Sequence, residues 1–390
     1  CIGRGSAAGR RGSPRGQDRR RRQREPNALN QSFRPATEWE LSTYVRWAIE
    51  KSTPLEIVGS GSKRQVGRPV QAARTVETTG LTGIALYEPT ELIMSVRAGT
   101  ALTVVEAELA RNGQMLAFEP VDIGPVLGGP ARQGTIGAVF ATNLSGPRRV
   151  MAGAARDHLI GVKAVNGRGE MFKSGGRVMK NVTGYDVARG LTGSWGTLAV
   201  MTEVTFKVQP VPEETATLAL FGLPDEIAVE LLCQAMGTPF EVSGAVHLRE
   251  GMAARLWHAG LRGAGKAVTA IRIENFAKSV SYRVEKLRRE LAPYGQIHVL
   301  DTAGSLAFWD EMKQLSVLAG GTEPLWRIST SPKEGPRVVA AIARYMDVDV
   351  MYDWSGGLVW MQVPGSADAG ATASRRVLAH HGGHATLIRA

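Results

Sequence analysis

The sequence has few cysteines and no long apolar run. Its two cysteines, Cys1 and Cys233, are too few for a disulfide framework, a paired-cysteine metal knuckle or an iron–sulfur cluster. No stretch of about 18 apolar residues occurs, which excludes an ordinary membrane-spanning helix. The 46 glycines follow no Gly-X-Y repeat, so a collagen-like rod is excluded as well. They cluster instead in short loops, which indicates backbone that closely approaches a ligand.

Positive charge is concentrated at the N-terminus. The net charge is +11, and residues 1–25 hold nine arginines against one aspartate and one glutamate. The rest of the chain is therefore nearly balanced, at +4. A nucleic-acid binder would need a stacking platform or a recognition helix beside this arm, and the sequence offers neither, so we predict no nucleic-acid partner.

Residues 1–30 are rich in Gly, Arg, Ser and Pro and contain almost nothing apolar. Such a segment cannot offset its ordering entropy by burial, so we predict a disordered tail. No apolar segment follows the arginines, which argues against a secretory or twin-arginine signal. The tail is either a basic arm for an anionic surface or translated sequence without function.

Two regions with different patterns of predicted secondary structure follow the tail. Residues 31–212 are rich in strands with long glycine-bearing connections, whereas residues 213–390 alternate strands and helices. In the second region, apolar residues spaced 4, 3 and 4 apart from Val280 to Leu291 predict an amphipathic helix. Residues 210–214, rich in Pro and Glu, look like a linker. The pattern predicts two domains, of which the second is an α+β layer with helices on one face.

The first glycine cluster, IVGSGSKRQVG, covers Ile57–Gly67. A short apolar strand delivers small residues whose backbone N–H groups could converge on an anion, and Lys63 adds a counter-charge. The spacing fits neither a Walker loop nor the Rossmann fingerprint. Taken alone, such a cluster is more typical of an ordinary turn.

A second small-residue cluster, GTIGAVFATNLSGP, covers residues 134–147. It leaves room for a wide, flat group, and Thr135, Thr142 and Asn143 offer hydrogen-bonding side chains. The alternative is a tightly packed helix or bend. A third cluster, residues 193–197, leads into a strand at 198–208, on which the backbone of Val200 could bond the edge of a planar ring.

In this order the three clusters resemble the FAD-binding domain of the vanillyl-alcohol oxidase, or PCMH, type. The resemblance covers about residues 33–212 and implies an α+β fold: a PCMH-type FAD-binding domain at 31–212, followed by an α+β cap with an antiparallel sheet at 213–390. It implies FAD as the cofactor. The residues around the pyrophosphate would be Gly59, Ser60, Gly61, Ser62 and Lys63. Those along the pyrophosphate, ribityl chain and flavin would be Gly134, Thr135, Ile136, Gly137, Ala141, Thr142 and Asn143. Val200 would contact the adenine through its backbone.

A narrower resemblance covers all but the tail. It rests on EPTELIMSVRAGT (88–100), KNVTGYDVARGLTGSWGTLAV (180–200), LWRIS (325–329), YDWSGG (352–357) and GGHATLIRA (382–390). These motifs are similar to those of the smaller flavin-binding subunit of bacterial glycolate oxidases. That family implies oxidation of glycolate to glyoxylate, a larger flavoprotein subunit and an iron–sulfur subunit as partners. It also implies a cytoplasmic location, with membrane contact only through the complex on the inner face of the bacterial membrane.

Oxidation of a 2-hydroxy acid needs a group that holds the carboxylate and a base that takes the hydroxyl proton. An arginine fork suits the carboxylate, and in this fold the strand of Arg327 would lie over the flavin. A structural ion pair is the alternative role for Arg327. His384, at the start of the last strand, could act as the general base, although an ordinary hydrogen-bonded histidine is the commoner role for such a residue.

The histidines His380, His381 and His384 form the only cluster that invites a metal site, but no acidic partner accompanies them, so no metal is predicted. Trp326 and Trp354 could wall the isoalloxazine or simply pack in the core. The sequence also lacks the HxxxxxH pair of metal-dependent 2-hydroxy-acid dehydrogenases of this fold. A second hypothesis follows: the chain bears FAD only as an electron relay or structural subunit, and hydride transfer occurs in the larger flavoprotein.

Many proteins of this type bind FAD covalently through a histidine in the first loop. Residues 57–67 contain no histidine, and no cysteine lies near the second cluster. We therefore predict non-covalent FAD. Acid denaturation should release free flavin into the supernatant, and an absorption spectrum of both fractions checks this; flavin colour retained in the precipitated protein would contradict it.

Overall fold

A computed structural model describes residues 32–176, 185–365 and 368–390. The predicted tail, residues 1–30, lies outside the described residues, as do residues 180–184 of the KNVTG motif. In the described part of the chain, no helix is both long and apolar enough to cross a membrane.

The chain folds into eighteen strands and thirteen α-helices within the described residues. The strands are β1 Ser32–Phe33, β2 Leu55–Val58, β3 Arg74–Glu77, β4 Ile84–Glu88, β5 Ile93–Arg97, β6 Gln114–Met115, β7 Leu159–Asn166, β8 Met171–Gly175, β9 Ala199–Lys207, β10 Gln209–Pro210, β11 Glu214–Phe221, β12 Val242–Leu248, β13 Val268–Asn275, β14 His298–Leu300, β15 Leu325–Ser329, β16 Asp349–Asp353, β17 Leu358–Gln362 and β18 His384–Arg389. The helices are α1 Glu38–Glu50, α2 Leu102–Arg111, α3 Ile136–Thr142, α4 Arg149–Ala152, α5 Ala155–His158, α6 Val187–Leu191, α7 Asp225–Met236, α8 Glu250–Ala253, α9 Ala259–Arg262, α10 Ala277–Leu291, α11 Thr302–Gln314, α12 Glu334–Ala343 and α13 Ala371–His381.

The N-terminal half contains two sheets that frame the glycine clusters. Strands β1, β3 and β2 form a small parallel sheet, and β4, β5, β9, β7 and β8 form an antiparallel sheet in that order. The apolar face of the larger sheet packs on α2 and α3, with Met94, Val96 and Phe206 fully buried. Burial of this face is the main source of stability for the half.

The linker region is more ordered than the sequence indicates. Gln209 and Pro210 pair with Met115 and Gln114 in a two-stranded antiparallel sheet, and β11 begins at Glu214. Pro210 is tolerated because this short strand lies at an edge. Helix α7 begins at Asp225, a residue type that favours the N-cap position. Pro224 occupies that position instead, because the Asp225 carboxylate bonds Tyr352 and Arg249.

The C-terminal half is one eight-stranded antiparallel sheet built from two similar units. Its order is β14, β11, β13, β12, β16, β17, β15, β18. Each unit runs strand, helix, strand, strand, helix, strand, and both have the same internal strand order, joined where β12 pairs with β16. Helices α7, α10, α12 and α13 cover one face, and α10 buries Val280, Leu287 and Leu291. The sequence predicts helices on one face only, but α8, α9 and α11 pack against the other face. The other face is turned toward the N-terminal half, whose Val121, Ile123 and Leu144 share its core.

Four buried charged residues bind the halves together. Arg148 of the N-terminal half lies 3.0 Å from Glu119 and 2.8 Å from Glu274 of β13. Arg272, also on β13, lies 2.8 Å from Glu119 and 3.3 Å from Glu274. Burial alone would raise the carboxyl pKa values, but the two arginines lower the pKa of Glu274 to about 2 and that of Glu119 below its usual value. We call these four residues the interdomain quartet.

Replacing Glu119 with Gln should destabilise the protein by ~3–5 kcal/mol, because two buried guanidinium groups lose their shared counter-charge. The free energy of unfolding, measured by urea denaturation, checks this value. Glu106→Gln is the matched control: Glu106 forms a partly exposed pair with Lys313 across the same two halves, at 3.0 Å. That change should cost no more than ~1 kcal/mol. Equal losses in the two variants would contradict the role of the quartet.

Candidate functional site

A groove of about 340 Å³ runs between the two sheets of the N-terminal half. The first glycine cluster forms one wall, in the turn that follows β2, with Gly59, Ser60, Gly61, Ser62 and Lys63 all lining the groove. The turn is fixed by its own contacts, since the Ser60 hydroxyl donates to the Gln133 carbonyl and the Thr78 hydroxyl donates to the Val58 carbonyl at 3.2 Å. The groove therefore has the backbone-lined wall that the sequence predicts.

The second glycine cluster forms the opposite wall on α3, where Gly137, Ala141 and Thr142 line the groove. Two close approaches require glycine here. A Cβ at Gly59 would lie 2.5 Å from Thr135 Oγ1, and a Cβ at Gly137 would lie 2.7 Å from the Ala98 Cβ. Glycine at position 59 thus lets the two walls come together, and glycine at position 137 lets α3 lie close against the end of β5.

The remaining residues of the second cluster occupy different places. Gly134 lies behind Lys63, with 3.9 Å between the position of a Cβ and Lys63 Nζ. Thr135 is buried and caps α3, accepting a 3.4 Å hydrogen bond from the Ala138 N–H. The Ile136 side chain lies fully buried in the core, and its N–H donates to the Thr100 carbonyl, so Ile136 supports α3 and does not line the groove. Asn143 ends α3 in the left-handed conformation and lines a neighbouring cavity.

The third cluster closes one end of the groove. Trp195 and Gly196 lie in the turn, and the Trp195 N–H donates to the Ala141 carbonyl at 2.9 Å, which ties this turn to α3. Val200 also lines the groove. It pairs with Val165 of β7 on one side, whereas β5 pairs with β9 only at residues 203–207. The backbone of β9 near Val200 is thus placed beyond the end of β5, where the edge of a ring could bond it.

Lys63 carries the unpaired charge of the groove, whose other charged lining residues, Glu56 and Arg64, pair with each other. It has no ion-pair partner among the residues that the structure describes, and burial lowers the pKa of its ammonium group, while Asp122 opposes that shift. Both Asp122 oxygens accept backbone hydrogen bonds, from Gly124 at 3.0 Å and Arg132 at 2.5 Å. A partly buried ammonium beside backbone turns suits a diphosphate, so the residues present fit the FAD pyrophosphate.

A second cavity, of about 490 Å³, adjoins the groove and lies between the two halves. Thr142 and Trp195 line both spaces, so the two share a wall. The C-terminal half contributes Arg327 and Ser329 from β15 and His384 and Thr386 from β18. These strands are neighbours, with Arg327 opposite Thr386 and Ser329 opposite His384. The structure thus brings both predicted catalytic residues, Arg327 and His384, into one cavity beside the groove.

The sequence analysis did not single out Arg149, which also lines this cavity. Arg149 begins α4, directly after Arg148 of the interdomain quartet. Its guanidinium carbon lies 4.4 Å from the centre of the Trp354 ring, and that of Arg327 lies 5.2 Å from the same centre. The Trp354 indole N–H donates to the Gly146 carbonyl at 3.1 Å, which holds the ring between the halves. The consecutive arginines 148 and 149 were the available signal.

Burial shapes the ionisation of this cavity. Burial, and the neighbouring charge of Arg149, lower the pKa of Arg327 to about 10, so the guanidinium stays protonated at neutral pH. Asp353 precedes Trp354 and accepts its backbone N–H at 2.7 Å. Burial raises the pKa of Asp353 to about 7, so this carboxyl is partly protonated near neutral pH.

The other aromatic and histidine candidates are placed elsewhere. Trp326 is buried in the core on the helical face of the sheet, and its indole N–H donates to the Ala369 carbonyl at 2.6 Å. His381 pairs with Glu334 at 3.0 Å. Within the described ranges, no group of three or more His, Cys, Asp or Glu side chains is arranged to hold a metal ion.

The fold and the groove define a class: two-domain α+β flavoproteins of the PCMH type, with an antiparallel cap. The family described as "FAD binding domain" matches residues 30–175. Among solved structures, alkyldihydroxyacetonephosphate synthase superposes with a TM-score of 0.65 at 14% identity, covering 90% of this chain and 71% of that one. p-Cresol methylhydroxylase with bound substrate gives 0.64 at 13% identity, covering 89% and 78%. At these identities the likeness shows the fold alone.

Curated relatives narrow the class. Glycolate oxidase subunit GlcE of Escherichia coli (strain K12) is 33% identical over 355 residues, which cover 90% of this chain and 86% of the relative. D-lactate dehydrogenase of Archaeoglobus fulgidus is 29% identical over 188 residues, covering 48% of this chain and 40% of the relative. The chain belongs to the family of FAD-binding oxidoreductase subunits that contains GlcE.

Replacing Lys63 with Met should weaken FAD binding by ~10-fold or more, because a charge-assisted contact to a phosphate contributes ~1.5–3 kcal/mol. Fluorescence titration of the apoprotein with FAD measures the dissociation constant. Arg68→Met is the matched control, since Arg68 is exposed and does not line the groove. FAD affinity that falls equally in both variants would contradict a specific role for Lys63.

Proposed function

We propose that this chain is the FAD-bearing subunit of a complex that oxidises glycolate, a 2-hydroxy acid, to glyoxylate and passes the electrons to an iron–sulfur subunit. The observation that carries the proposal is the shared cavity of Arg327 and His384 beside the FAD groove. The names of the two relatives support the substrate class, because glycolate and lactate are both 2-hydroxy acids. The word "subunit" in the name of GlcE supports membership of a complex.

Arg327 is proposed to hold the substrate carboxylate. Its guanidinium group has no ion-pair partner among the described residues, and a carboxylate would supply the missing counter-charge through two parallel hydrogen bonds. The Ser329 hydroxyl lies on the same strand and faces the same cavity. A bound carboxylate would thus be fixed in orientation as well as position.

His384 is proposed to take the proton of the substrate hydroxyl. Its backbone lies opposite Ser329 on the neighbouring strand, two residues along from the Arg327–Thr386 pair. With that spacing, the imidazole of His384 can reach the hydroxyl of a substrate whose carboxylate is bound at Arg327. FAD, when bound, supplies the acceptor for the hydride that leaves the substrate carbon. Trp354 and Trp195 also line the cavity.

The alternative is an FAD-bearing relay or structural subunit, with hydride transfer in a larger flavoprotein partner. The two roles differ in what the isolated chain does with substrate. In the first role the flavin accepts electrons directly from glycolate, whereas in the second it remains oxidised until the partner is present.

Anaerobic addition of glycolate to the FAD-loaded chain should bleach the flavin absorbance. Arg327→Gln should slow the bleaching by ~10–100-fold, since a charge-assisted hydrogen bond contributes ~1.5–3 kcal/mol. Stopped-flow absorbance measures the rate. Arg337→Gln is the control, because Arg337 is exposed on the helical face and pairs with Glu334 at 2.7 Å. A flavin that stays oxidised in the unmodified chain, but is reduced once a partner subunit is added, would assign the relay role instead.

A further inference from the structure

The indole ring of Trp354 contacts the guanidinium group that is proposed to hold the substrate carboxylate. The guanidinium carbon of Arg327 lies 5.2 Å from the centre of that ring. Trp360, directly opposite Arg327 on the neighbouring strand, is farther away, with 6.0 Å between the same carbon and its ring centre. Aromatic ring faces attract a guanidinium ion at such distances. Two rings of the cap thus contact Arg327, and the nearer one belongs to Trp354.

These ring contacts leave the hydrogen-bond donors of Arg327 unused. None of its side-chain N–H groups donates to a residue that the structure describes. An internal carboxylate would occupy two of the five N–H groups, whereas the attraction of a ring acts on the charge of the guanidinium group and requires none of them. The side chain is therefore held in place while its N–H groups stay available to a ligand carboxylate.

Trp354 lies in a strained turn between β16 and β17. Trp354 and Ser355 both adopt the left-handed backbone conformation, with φ of 52° and 58°, which is unfavourable for a side chain as bulky as that of tryptophan. Two hydrogen bonds fix the turn: the Asp353 carboxyl accepts the Trp354 N–H at 2.7 Å, and the Gly357 N–H donates to the Trp354 carbonyl at 3.1 Å. Strain of this kind is typical of positions that direct a side chain into a functional site.

The same ring is also held by the N-terminal half. Its indole N–H donates to the Gly146 carbonyl at 3.1 Å, and the guanidinium carbon of Arg149 lies 4.4 Å from its centre. Trp354 thus belongs to the cap by its backbone and is anchored to the N-terminal half by its side chain. The position of Arg327 relative to the FAD groove therefore depends on this ring.

We propose that Trp354 is the positioning residue of the carboxylate site, and that its ring face orients the Arg327 guanidinium group toward a carboxylate bound beside the FAD groove. The inference rests on the proposed function, because it takes Arg327 as the group that binds the carboxylate. Trp354 acts through Arg327 in this role, so its effect on ligand binding requires the guanidinium group.

Acetate tests this inference without catalysis, since it is glycolate without the hydroxyl group and cannot be oxidised as a 2-hydroxy acid. Saturation-transfer NMR on the acetate methyl group, with the FAD-loaded chain, gives the dissociation constant. Trp354→Leu should weaken acetate binding by ~3–10-fold, because the cation–π contact to Arg327 is lost. In an Arg327→Gln background the same change should have little further effect, because the two residues act as one unit.

An isosteric replacement covers the case in which Trp354→Leu does not fold. Tetrafluorotryptophan introduced at position 354 keeps the shape of the ring and its N–H group but removes the negative character of the ring face. It should weaken acetate binding in the same direction, again only while Arg327 is present. Trp257→Leu is the matched control, since Trp257 is 61% exposed and does not line the cavity, and it should leave acetate affinity unchanged.

The inference is overturned if the Trp354 variants bind acetate as tightly as the unmodified chain. It is also overturned if their loss of affinity is the same with Gln at position 327, because Trp354 would then contact the ligand directly or support the fold in general. Absence of saturable acetate binding in the unmodified chain would overturn both this inference and the proposed role of Arg327. Failure of glycolate to bleach the flavin, with acetate binding and the dependence on Arg327 intact, would count against the proposed catalysis alone.

Discussion

The position of one half of the molecule on the other depends on four buried charges. Glu119 and Arg148 come from the loops of the FAD-binding half, and Arg272 and Glu274 come from the cap sheet. Each charge contacts two of the opposite sign, so removal of any member leaves a buried ion unmatched. Such an arrangement contributes little net stability compared with apolar packing, but it allows few alternative orientations. The cavity depends on that orientation, because its two arginines belong to different halves.

The repeated architecture of the cap explains why the cavity lies on one side only. In the first unit, the face turned toward the FAD-binding half is filled by Trp309 of α11, whose indole N–H donates to Thr217 at 2.9 Å and whose ring lies 4.5 Å from the Arg272 guanidinium. The second unit has no such helix in front of Arg327 within the described residues, and the corresponding face stays open. The first unit thus attaches the cap to the FAD-binding half, and the second unit forms a wall of the cavity.

The sequence located the glycine-rich turns that line the groove, because the features of such a turn are local. A turn such as Gly59–Lys63 carries its own glycines and its own charge, and the resemblance placed Arg327 and His384 on strands that the structure shows as neighbours. Ile136 shows the limit of a continuous motif, since residues three and four apart on a packed helix face the core, as Ile136, Val139 and Phe140 do. Arg149 could not be found this way, because nothing in its neighbourhood distinguishes it from Arg148. Only the assembled halves direct one arginine into the quartet and the next into the cavity.

The two consecutive arginines have different roles: Arg148 stabilises the contact between the halves, and Arg149 lines the cavity. Arg148 is neutralised within the protein, and its nearby carboxylates raise its pKa, so it binds the halves whether or not a ligand is present. Arg149 and Arg327 keep their charge in a cavity where burial lowers the pKa of both. Keeping these two charges in the cavity therefore costs the folded chain electrostatic free energy, which a neighbouring carboxylate of the protein would reduce. No described residue neutralises these two charges. An anion that enters the cavity does so, and the electrostatic free energy that it relieves strengthens its binding.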